Sequence, residues 1–473
     1  MYVPALVAGL LAWSAVAHGQ VVTSRMVTAQ RAPSRTLVRG QHLEQSTVQT
    51  ASITAPPPAD SVLRERRRRA AQVFHDGILL LRARRVFDDA ADGYRQDASF
   101  FYFTGLANTS GAFLAIDGRS GDSWLFLEPD PPFRRAGLTP EAVPAPDAAA
   151  RLGFEHVVDW AELADFLSHH TDVPLYFEAL PATEMPPTVE NPAAKHAPVW
   201  LQAILGRWSF TTTDAGGQID SLMSVQSADE RAALRAAATA TVFAIKAGMR
   251  AIRPGVHQRA VEAAVENACW TAGAHGSSFW PWAMAGANAI MPRPFISFAL
   301  YDHLDTVMHA GELVRLDIGC EWDHYGGDLG RTMPVSGHYT NEQRETWTVF
   351  VAAYQAGART LRAGVSVDDV FAAWRAELLR HRASVHSLLA QHAIDTWSTR
   401  ANVPFWQIHT MNLRAGLAYS PLKAGTTLNF EPIAAVDGQA FFLEDMYLIT
   451  DTGAELLTPG VPYTAADLER AMQ

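Results

Sequence analysis

The feature that most constrains the fold of this chain is an internal repeat in its C-terminal half. The segment IRPGV at residues 252–256 recurs as LRAGV at residues 361–365, and the apolar positions that follow recur with the same offset of 109 residues. Each copy follows a long helical pattern that opens with a predicted capping box: Ser227 with Glu230, and Thr340 with Gln343. Another amphipathic helix and then strands follow each copy. Residues 221–473 are therefore predicted to form one domain of two related helix–helix–strand units.

The second unit contains a hairpin with two acids. Apolar runs flank Asp437-Gly438, and Asp-Gly between such runs is a strong signal for a two-residue turn. In the symmetric register of that turn, Glu431 lies directly opposite Glu444. Like charges so placed destabilise a sheet, and burying them costs more. A compensating cation is therefore expected between them.

The first unit contains a second pair of acids, Asp317 and Asp328, in the run RLDIGCEWDHYGGDLGRTMPVSG at residues 315–337. The two aspartates are symmetric about Trp322-Asp323, which is a mediocre turn. A loop over residues 323–327 would instead offset the pairing. In either case both acids belong to one hairpin, so each repeat unit offers two carboxylates.

The four acids and His409 form a set of oxygen ligands with a single imidazole. Carboxylates suit hard or borderline ions such as Mn²⁺, and imidazole suits Zn²⁺, Co²⁺ or Fe²⁺. Four acids exceed the needs of one ion, so two carboxylate-bridged ions about 3.5–4 Å apart are expected. Such a pair generates a metal-bound hydroxide. The cofactors predicted are two divalent ions, Mn²⁺ first, with Zn²⁺ or Co²⁺ as alternatives.

Residues 61–220 are predicted to form a separate α/β domain, because helical and strand patterns alternate there. The helical pattern covers residues 66–81. Three apolar runs predict strands: FFYFTG at residues 100–105, GAFLAID at 111–117 and SWLFLEP at 123–129.

The N-terminus predicts export. An apolar stretch from Val3 to Val16 ends in a small-x-small pattern at residues 15–17, so residues 1–17 are predicted to be a signal peptide. The alternative is an apolar tail or a membrane anchor. Residues 18–60 are rich in Thr, Ser, Ala and Pro and predict a flexible lead-in. We therefore expect a periplasmic or secreted protein.

Composition narrows the classes of partner. The net charge is −11 without a long basic tract, which argues against nucleic acid. Hydrophobic residues at 48% indicate a globular chain. The two cysteines, Cys269 and Cys320, are too few for a disulfide scaffold or a cysteine-ligated zinc site, and whether they form a bridge is left open.

These segments resemble the Xaa-Pro aminopeptidase and prolidase family, the creatinase-like "pita-bread" metallopeptidases of the M24 class. Residues 317–337 resemble its first metal hairpin, in which a ligand Asp, ten residues and a second ligand Asp precede Gly-Arg-Thr-x-Pro-Val. Residues 429–432 (NFEP) and 443–446 (LEDM) resemble the segments of its two ligand glutamates. Residues 94–97 (YRQD) and 101–105 resemble its N-terminal domain.

The resemblance implies a fold and a set of roles. The fold is α/β (α+β), a creatinase-like N-terminal domain followed by a pita-bread domain with pseudo-twofold symmetry. Asp317 would chelate one ion, Asp328 and either Glu431 or Glu444 would bridge both, and a histidine would bind the second. Glu431 would take a proton from the bridging water and relay it to the leaving amine. His409 is the second residue expected to act in catalysis.

Three departures from the family pattern bear on specificity. His409 is our preferred ligand histidine, because the alternative places Asn402 there and removes the imidazole; a second family histidine then becomes Gly416. A family histidine further upstream is missing, since residues 288–291 are followed by Pro-Arg. Phe442 stands where several members have an Arg that helps to hold the substrate.

We therefore expect metal-dependent hydrolysis of an N-terminal peptide bond, of the Xaa-Pro aminopeptidase or dipeptidase type. The rival interpretations are a non-catalytic metal- or peptide-binding protein and a hydrolase of another small amide. The expected partner is a peptide substrate, with no nucleic acid and no membrane after signal removal. We also expect a homo-oligomer, a dimer or larger.

Overall fold

The structure is a computed structural model, which describes residues 57–85, 95–130, 142–181, 195–290, 305–403, 405–413 and 420–473, with residues 53, 55, 416 and 417. The predicted signal peptide (1–17) and nearly all of the predicted lead-in (18–60) lie outside these residues. Within the described ranges, no helix is both long and apolar enough to span a bilayer.

Residues 60–223 form a six-stranded mixed sheet with its helices. The helices are α1 (Asp60–Val73), α2 (Ala98–Thr104), α3 (Ala148–Leu152), α4 (Leu163–Ser168), α5 (Val199–Leu205) and α6 (Gly216–Met223). The strands are β1 (Ile78–Arg82), β2 (Phe113–Asp117), β3 (Ser123–Leu127), β4 (His156–Asp159), β5 (Leu175–Phe177), β6 (Leu180–Pro181), β7 (Lys195–His196) and β8 (Thr212–Asp214). The sheet has the order β4-β3-β2-β1-β5-β8, and β6 pairs with β7 in a separate ribbon.

The core of this half lies on both faces of the sheet, because successive side chains of a strand point in opposite directions. Leu79 and Leu81 of β1 pack in the cluster that includes α1, α2 and α6, whereas Ile78 and Leu80 pack in the cluster that includes α4 and α5. Helix α6 spans residue 220, the predicted limit between the domains 61–220 and 221–473, and this division stays a prediction.

Two of the local predictions in this half are wrong. The predicted helix over residues 66–81 ends at Val73 in the structure, and residues 78–82 form β1. The predicted strand FFYFTG is helix α2. Asp97 caps this helix by accepting the Phe100 N–H at 2.8 Å, and Gly105 ends it at φ +70°. Its aromatic side chains are buried on every side, so the helical periodicity is hidden.

Residues 228–471 form the second sheet with its helices. The helices are α7 (Ala228–Ala251), α8 (Gln258–Thr271), α9 (Asn341–Ala358), α10 (Val367–His381), α11 (Leu388–Trp397) and α12 (Ala465–Ala471). The strands are β9 (Trp282–Ala285), β10 (Leu313–Ile318), β11 (Glu321–Trp322), β12 (Tyr325–Gly326), β13 (Leu329–Pro334), β14 (Phe405–Thr410), β15 (Gly416–Leu417), β16 (Thr427–Val436), β17 (Gln439–Ile449) and β18 (Ala454–Leu456). The order is β15-β14-β16-β17-β13-β10-β9, with β18 paired to β17 and with β11 and β12 in a ribbon of their own.

The predicted repeat is confirmed in this sheet. The first unit supplies α7, α8 and the strands β9, β10 and β13, and the second supplies α9, α10 and the strands β14, β16 and β17. The two strand sets are arranged symmetrically about the central β13–β17 pair. Both predicted capping boxes form, at Ser227 with Glu230 and at Thr340 with Gln343. The acids of both hairpins are thereby brought towards the middle of one sheet.

A disulfide bond joins Cys269 of α8 to Cys320, which follows β10, with the two Cα atoms 5.4 Å apart. The bridge therefore ties a helix of the first unit to the hairpin that contains Asp317. It closes a loop of the chain across 51 residues, and such cross-links stabilise a fold largely by constraining the unfolded chain.

Candidate metal centre

The second hairpin places Glu431 opposite Glu444, as the sequence predicts. Asp437 and Gly438 both have positive φ, at 47° and 75°, as a type I′ turn requires. Strand pairs on both sides of the two glutamates keep this register: Phe430 with Asp445, and Ile433 with Phe442. The two carboxylates therefore leave the same face of neighbouring strands.

The first hairpin closes with a two-residue turn at Asp323 and His324, at φ 47° and 70°. This turn is shorter than the loop that the sequence suggests, because β11 and β12 continue the pairing up to it. Asp317 consequently lies opposite Gly330, and Asp328 is two residues from Gly330 on the same face. The expected offset between the two aspartates is confirmed, and their symmetric pairing is not observed.

The two hairpins meet at Gly330, which pairs with Asp317 on one side and with Glu444 on the other. Glu431 in turn faces Glu444. One row across β10, β13, β17 and β16 therefore consists of Asp317, Gly330, Glu444 and Glu431. An added Cβ at Gly330 would lie 1.8 Å from the ring of Phe442. The row therefore needs a residue without a side chain at its centre.

His409 of β14 joins these acids. Its Nε2 lies 3.5 Å from Asp328 Oδ2, 3.3 Å from Glu431 Oε2 and 3.4 Å from Glu444 Oε1. Asn402, the alternative at the ligand position, is exposed in a short 3₁₀ turn, Arg400–Asn402. The structure therefore brings together all five residues that the sequence selects, with His409 and not Asn402.

Burial makes this cluster electrostatically costly. The five side chains are between 0% and 9% exposed. Burial raises the pKa of Asp328 well above its ordinary value, and the charge of Glu444 adds to the effect. Burial likewise raises the pKa of Asp317 and Glu444. For His409, burial lowers the pKa, but contacts with Glu431 and Glu444 outweigh it and raise the pKa well above its ordinary value.

The donor atoms fit divalent ions. Two overlapping groups each bring three donor atoms within 4.8 Å of one another: the His409 group (Asp328, His409, Glu444) and the Asp317 group (Asp317, Glu431, Glu444). Among the described residues, Asp328 Oδ1 and Glu444 Oε2 are buried and accept no hydrogen bond. Buried oxygens of this kind need a partner, and a cation that binds carboxylate and imidazole supplies one.

Arg315 was not predicted from the sequence, although it lies in the same site. Its side chain is fully buried, and Nη2 donates to Asp317 Oδ2 at 2.5 Å and to Glu431 Oε1 at 3.3 Å. The guanidinium carbon lies 4.3 Å from the centre of the Phe442 ring. Phe442 is the position where an Arg was expected, so a guanidinium is present but comes from β10. Its spacing of two residues from Asp317 in a strand is the signal that could have identified it.

Asn429 was also missed. Its Nδ2 donates to Glu444 Oε1 at 2.7 Å and to the main-chain oxygen of Asp328 at 3.2 Å. The amide therefore holds the two acids that both approach His409. Of the other departures, Gly416 pairs with Thr410 of β14, and the residues after Ile290 where a histidine was expected lie outside the described ranges.

Two family models match the chain. The model of the aminopeptidase P N-terminal domain matches residues 63–173, and that of metallopeptidase family M24 matches residues 232–451. The chain is 25% identical over 416 residues to the Xaa-Pro aminopeptidase of Escherichia coli (strain K12), covering 81% of this chain and 90% of the relative. It is 23% identical over 440 residues to the Xaa-Pro aminopeptidase of Haemophilus influenzae, covering 86% of this chain and 96% of that relative.

Solved structures share the fold. Escherichia coli aminopeptidase P with the inhibitor Pro-Leu superposes with a TM-score of 0.71 at 21% identity, covering 88% of this chain and 99% of that one. The proline aminopeptidase P II of Yersinia pestis gives a TM-score of 0.70 at 21% identity, with the same coverage. The expected architecture, an N-terminal α/β domain followed by a pita-bread domain, is thereby confirmed.

The matched segments, the shared fold and the buried cluster of acids with one histidine agree with one another. The M24 model spans all five predicted site residues, from Asp317 to Glu444. The chain therefore belongs to the Xaa-Pro aminopeptidase family of M24 metallopeptidases and is a metal-dependent peptide hydrolase.

Proposed function

We propose that the chain removes the N-terminal residue from peptides whose second residue is proline, using two divalent ions. The observation that supports this most directly is the convergence of four buried acids and His409 on one face of the second sheet. Such a cluster is unfavourable without a cation. Mn²⁺ suits its carboxylate-rich donor set best, with Zn²⁺ and Co²⁺ as alternatives.

The two donor groups suggest how the ions are held. Glu444 belongs to both groups and would bridge the ions, which favours it over Glu431 as the bridging glutamate. Asp328 would bind beside His409, and Asp317 would bind the other ion. His409 can serve only in its neutral form, so it has to lose its proton when an ion binds.

Glu431 would act in proton transfer. When bound, the ions supply the chemistry of a bridging hydroxide, because they lower the pKa of a shared water and polarise the scissile carbonyl. Glu431 would accept a proton of that water and pass it to the leaving nitrogen. Water and amide then become a carboxylic acid and an amine, and transfer of the acid's proton gives carboxylate and ammonium. Its two oxygens are oriented by Arg315 on one side and by His409 on the other.

The specificity for proline rests on the relatives, which are named Xaa-Pro aminopeptidases. The departures at Phe442 and Gly416 alter positions that hold substrate or stabilise the intermediate in the family. They favour, as the second candidate, a protein of the same fold that cuts another small amide or binds peptide without turnover.

A peptide panel separates these functions. The Mn²⁺-loaded protein is incubated with Xaa-Pro-Yaa peptides and matched Xaa-Ala-Yaa peptides, and the products are identified by mass spectrometry. We expect release of Xaa from the proline series, and release at least about a hundredfold slower with Glu431→Gln. Full metal content without cleavage would indicate a binding protein, and cleavage of the alanine series alone would indicate a different amide substrate.

We further propose that the chain is exported to the periplasm or secreted. The apolar N-terminus supports this, and so does the Cys269–Cys320 bridge, because disulfide bonds persist in oxidising compartments. Fractionation of the native host, with alkylation to count free thiols, tests it; reduced protein found only in the cytosol would contradict it. The expected homo-oligomer stays a prediction, which light scattering coupled to gel filtration tests.

A further inference from the structure

Arg315 places a permanent positive charge inside the carboxylate site. Its Nη2 contacts Asp317 Oδ2 and Glu431 Oε1, and the side chain is 0% exposed. A guanidinium does not lose its proton in a protein. The charge therefore stays in the site whether or not an ion is bound.

The surroundings of Arg315 hold its guanidinium where it is. The Phe442 ring lies 4.3 Å from the guanidinium carbon and the Trp282 ring lies 5.4 Å from it. Aromatic faces attract a cation at these distances. Trp282 is also paired with Asp317 across β9 and β10. An arriving ion would meet Arg315 beside Asp317, because the two rings and the two acids hold the buried side chain there.

The acids that Arg315 contacts belong to only one of the two donor groups. Both of its acid partners, Asp317 and Glu431, belong to the Asp317 group, while Asp328 and His409 belong to the other. Asp317 thus already has a cation at 2.5 Å. Asp328, by contrast, faces His409 at 3.5 Å, and His409 is a ligand when neutral.

We propose that Arg315 is an internal counter-cation that makes the two metal positions unequal. The first divalent ion binds tightly at the His409 group, and the second binds more weakly at the Asp317 group because it shares Asp317 with the guanidinium. This inference rests on the proposed function, in which the site binds two divalent ions. It makes Arg315 a positioning residue that also sets how readily the second ion is lost.

Arg315 has two opposing effects on the affinity for the second ion. Arg315 orients Asp317 and Glu431, and losing a hydrogen bond to a charged group costs about tenfold to a hundredfold in an equilibrium. The ion itself replaces those contacts once bound. Nothing offsets the repulsion between the fixed unit charge of Arg315 and a doubly charged ion a few ångströms away. At an effective dielectric constant of about 20, this repulsion raises the dissociation constant of the ion by more than a hundredfold. Repulsion therefore dominates at the second position.

Calorimetric titration of the chelator-treated protein with Mn²⁺ alone tests this inference. The wild type should show two steps whose dissociation constants differ by about tenfold or more. Arg315→Met, which keeps a long side chain next to the two rings, should tighten the second step by about tenfold or more, and by more than it tightens the first. Arg315→Lys keeps a cation and should keep two unequal steps.

Arg66→Met is the matched control. Arg66 is also a buried arginine, paired with Asp229 and Glu230 far along the chain from the site residues, so its loss should leave both steps as in the wild type. Two equal steps in the wild type would overturn the inference and leave the proposed function standing, as would a second step that Arg315→Met leaves unchanged or weakens. Absence of any Mn²⁺ binding would overturn both. If Arg315→Met does not fold, the wild type and Arg315→Lys still test the inference, because two equal steps in either protein would overturn it.

Discussion

His409 Nε2 lies 3.4 Å from Glu444 Oε1 although their strands, β14 and β17, are separated by β16. The intervening strand supplies Asn429, which is opposite His409 and donates to Glu444, and Glu431, which is opposite Glu444. The imidazole thus contacts Glu431 of the intervening strand, Glu444 of β17 and Asp328, the residue before β13. Its role as the only nitrogen ligand among the predicted site residues can be tested directly.

Replacing His409 should weaken metal binding. His409→Ala removes the nitrogen donor of the His409 group, and we expect its affinity for divalent ions to fall by at least about tenfold. Elemental analysis after dialysis against Mn²⁺ measures the effect. Asn402→Ala is the control, because that side chain is exposed, and its metal content should equal that of the wild type. The reverse pattern would mean that the ligand histidine is misassigned.

Replacing Glu431 should remove hydrolysis without unfolding the chain. Glu431→Gln keeps the size of the side chain but cannot accept the proton, and we expect kcat to fall by about 10²- to 10⁴-fold. The rate on an Xaa-Pro peptide, together with the circular dichroism spectrum and melting temperature, checks both parts. Wild-type turnover in a folded variant would rule out Glu431 as the proton acceptor.

Gly330 should tolerate no side chain. An alanine Cβ would lie 1.8 Å from Cε1 of Phe442 and 2.3 Å from its Cζ, so the ring that stacks on Arg315 has to move. We expect Gly330→Ala to lower the free energy of unfolding by about 1–3 kcal/mol, measured by urea denaturation. Gly453→Ala is the control, since nothing lies within 4 Å of its added Cβ, and its change should stay within about 0.5 kcal/mol. Equal stabilities for the two variants would contradict the close packing at Gly330.

Glu262 should give the fold a pH dependence. This residue of α8 accepts the Ala283 N–H at 3.3 Å, and burial raises its pKa to about 7. The folded chain therefore keeps a proton that the unfolded chain releases between about pH 4.5 and 7, so the free energy of unfolding falls as the pH rises through that range.

Glu262→Gln should remove this loss of stability. At pH 4, residue 262 is neutral in both folded proteins. Between pH 4 and pH 8, the free energy of unfolding of the variant should rise by about 1–3 kcal/mol relative to that of the wild type. Urea denaturation of both proteins across this range measures the difference. Parallel stability curves would show that Glu262 does not titrate as its burial requires.

The sequence predicts best where the local signal is strong. The Asp437-Gly438 turn determines the register that puts Glu431 opposite Glu444, and the structure keeps it. The turn at Asp323 and His324 was harder to recognise, because both residues adopt positive φ without being glycine. Helix α2 was missed because burial on all sides erases the periodic pattern that distinguishes a helix from a strand.

Arg315 shows the limit of reasoning from one segment at a time. An arginine in a strand more often reaches solvent. The spacing of two residues predicts that Arg315 shares a face with Asp317, but it does not predict that the guanidinium is buried. The two rings that hold its guanidinium, those of Trp282 and Phe442, come from β9 and β17. Their proximity depends on the strand order of the whole sheet, which the local pattern does not contain. The sequence therefore predicts which acids meet but not the cation already among them.

We expect divalent ions to neutralise the four acids that share one buried face of the sheet. Elemental analysis of the wild-type protein, dialysed against Mn²⁺ and then freed of loose ions by gel filtration, tests it most directly. We expect between one and two ions per chain, the lower value if the more weakly bound ion is lost during gel filtration. A metal content near zero in correctly folded protein would contradict it.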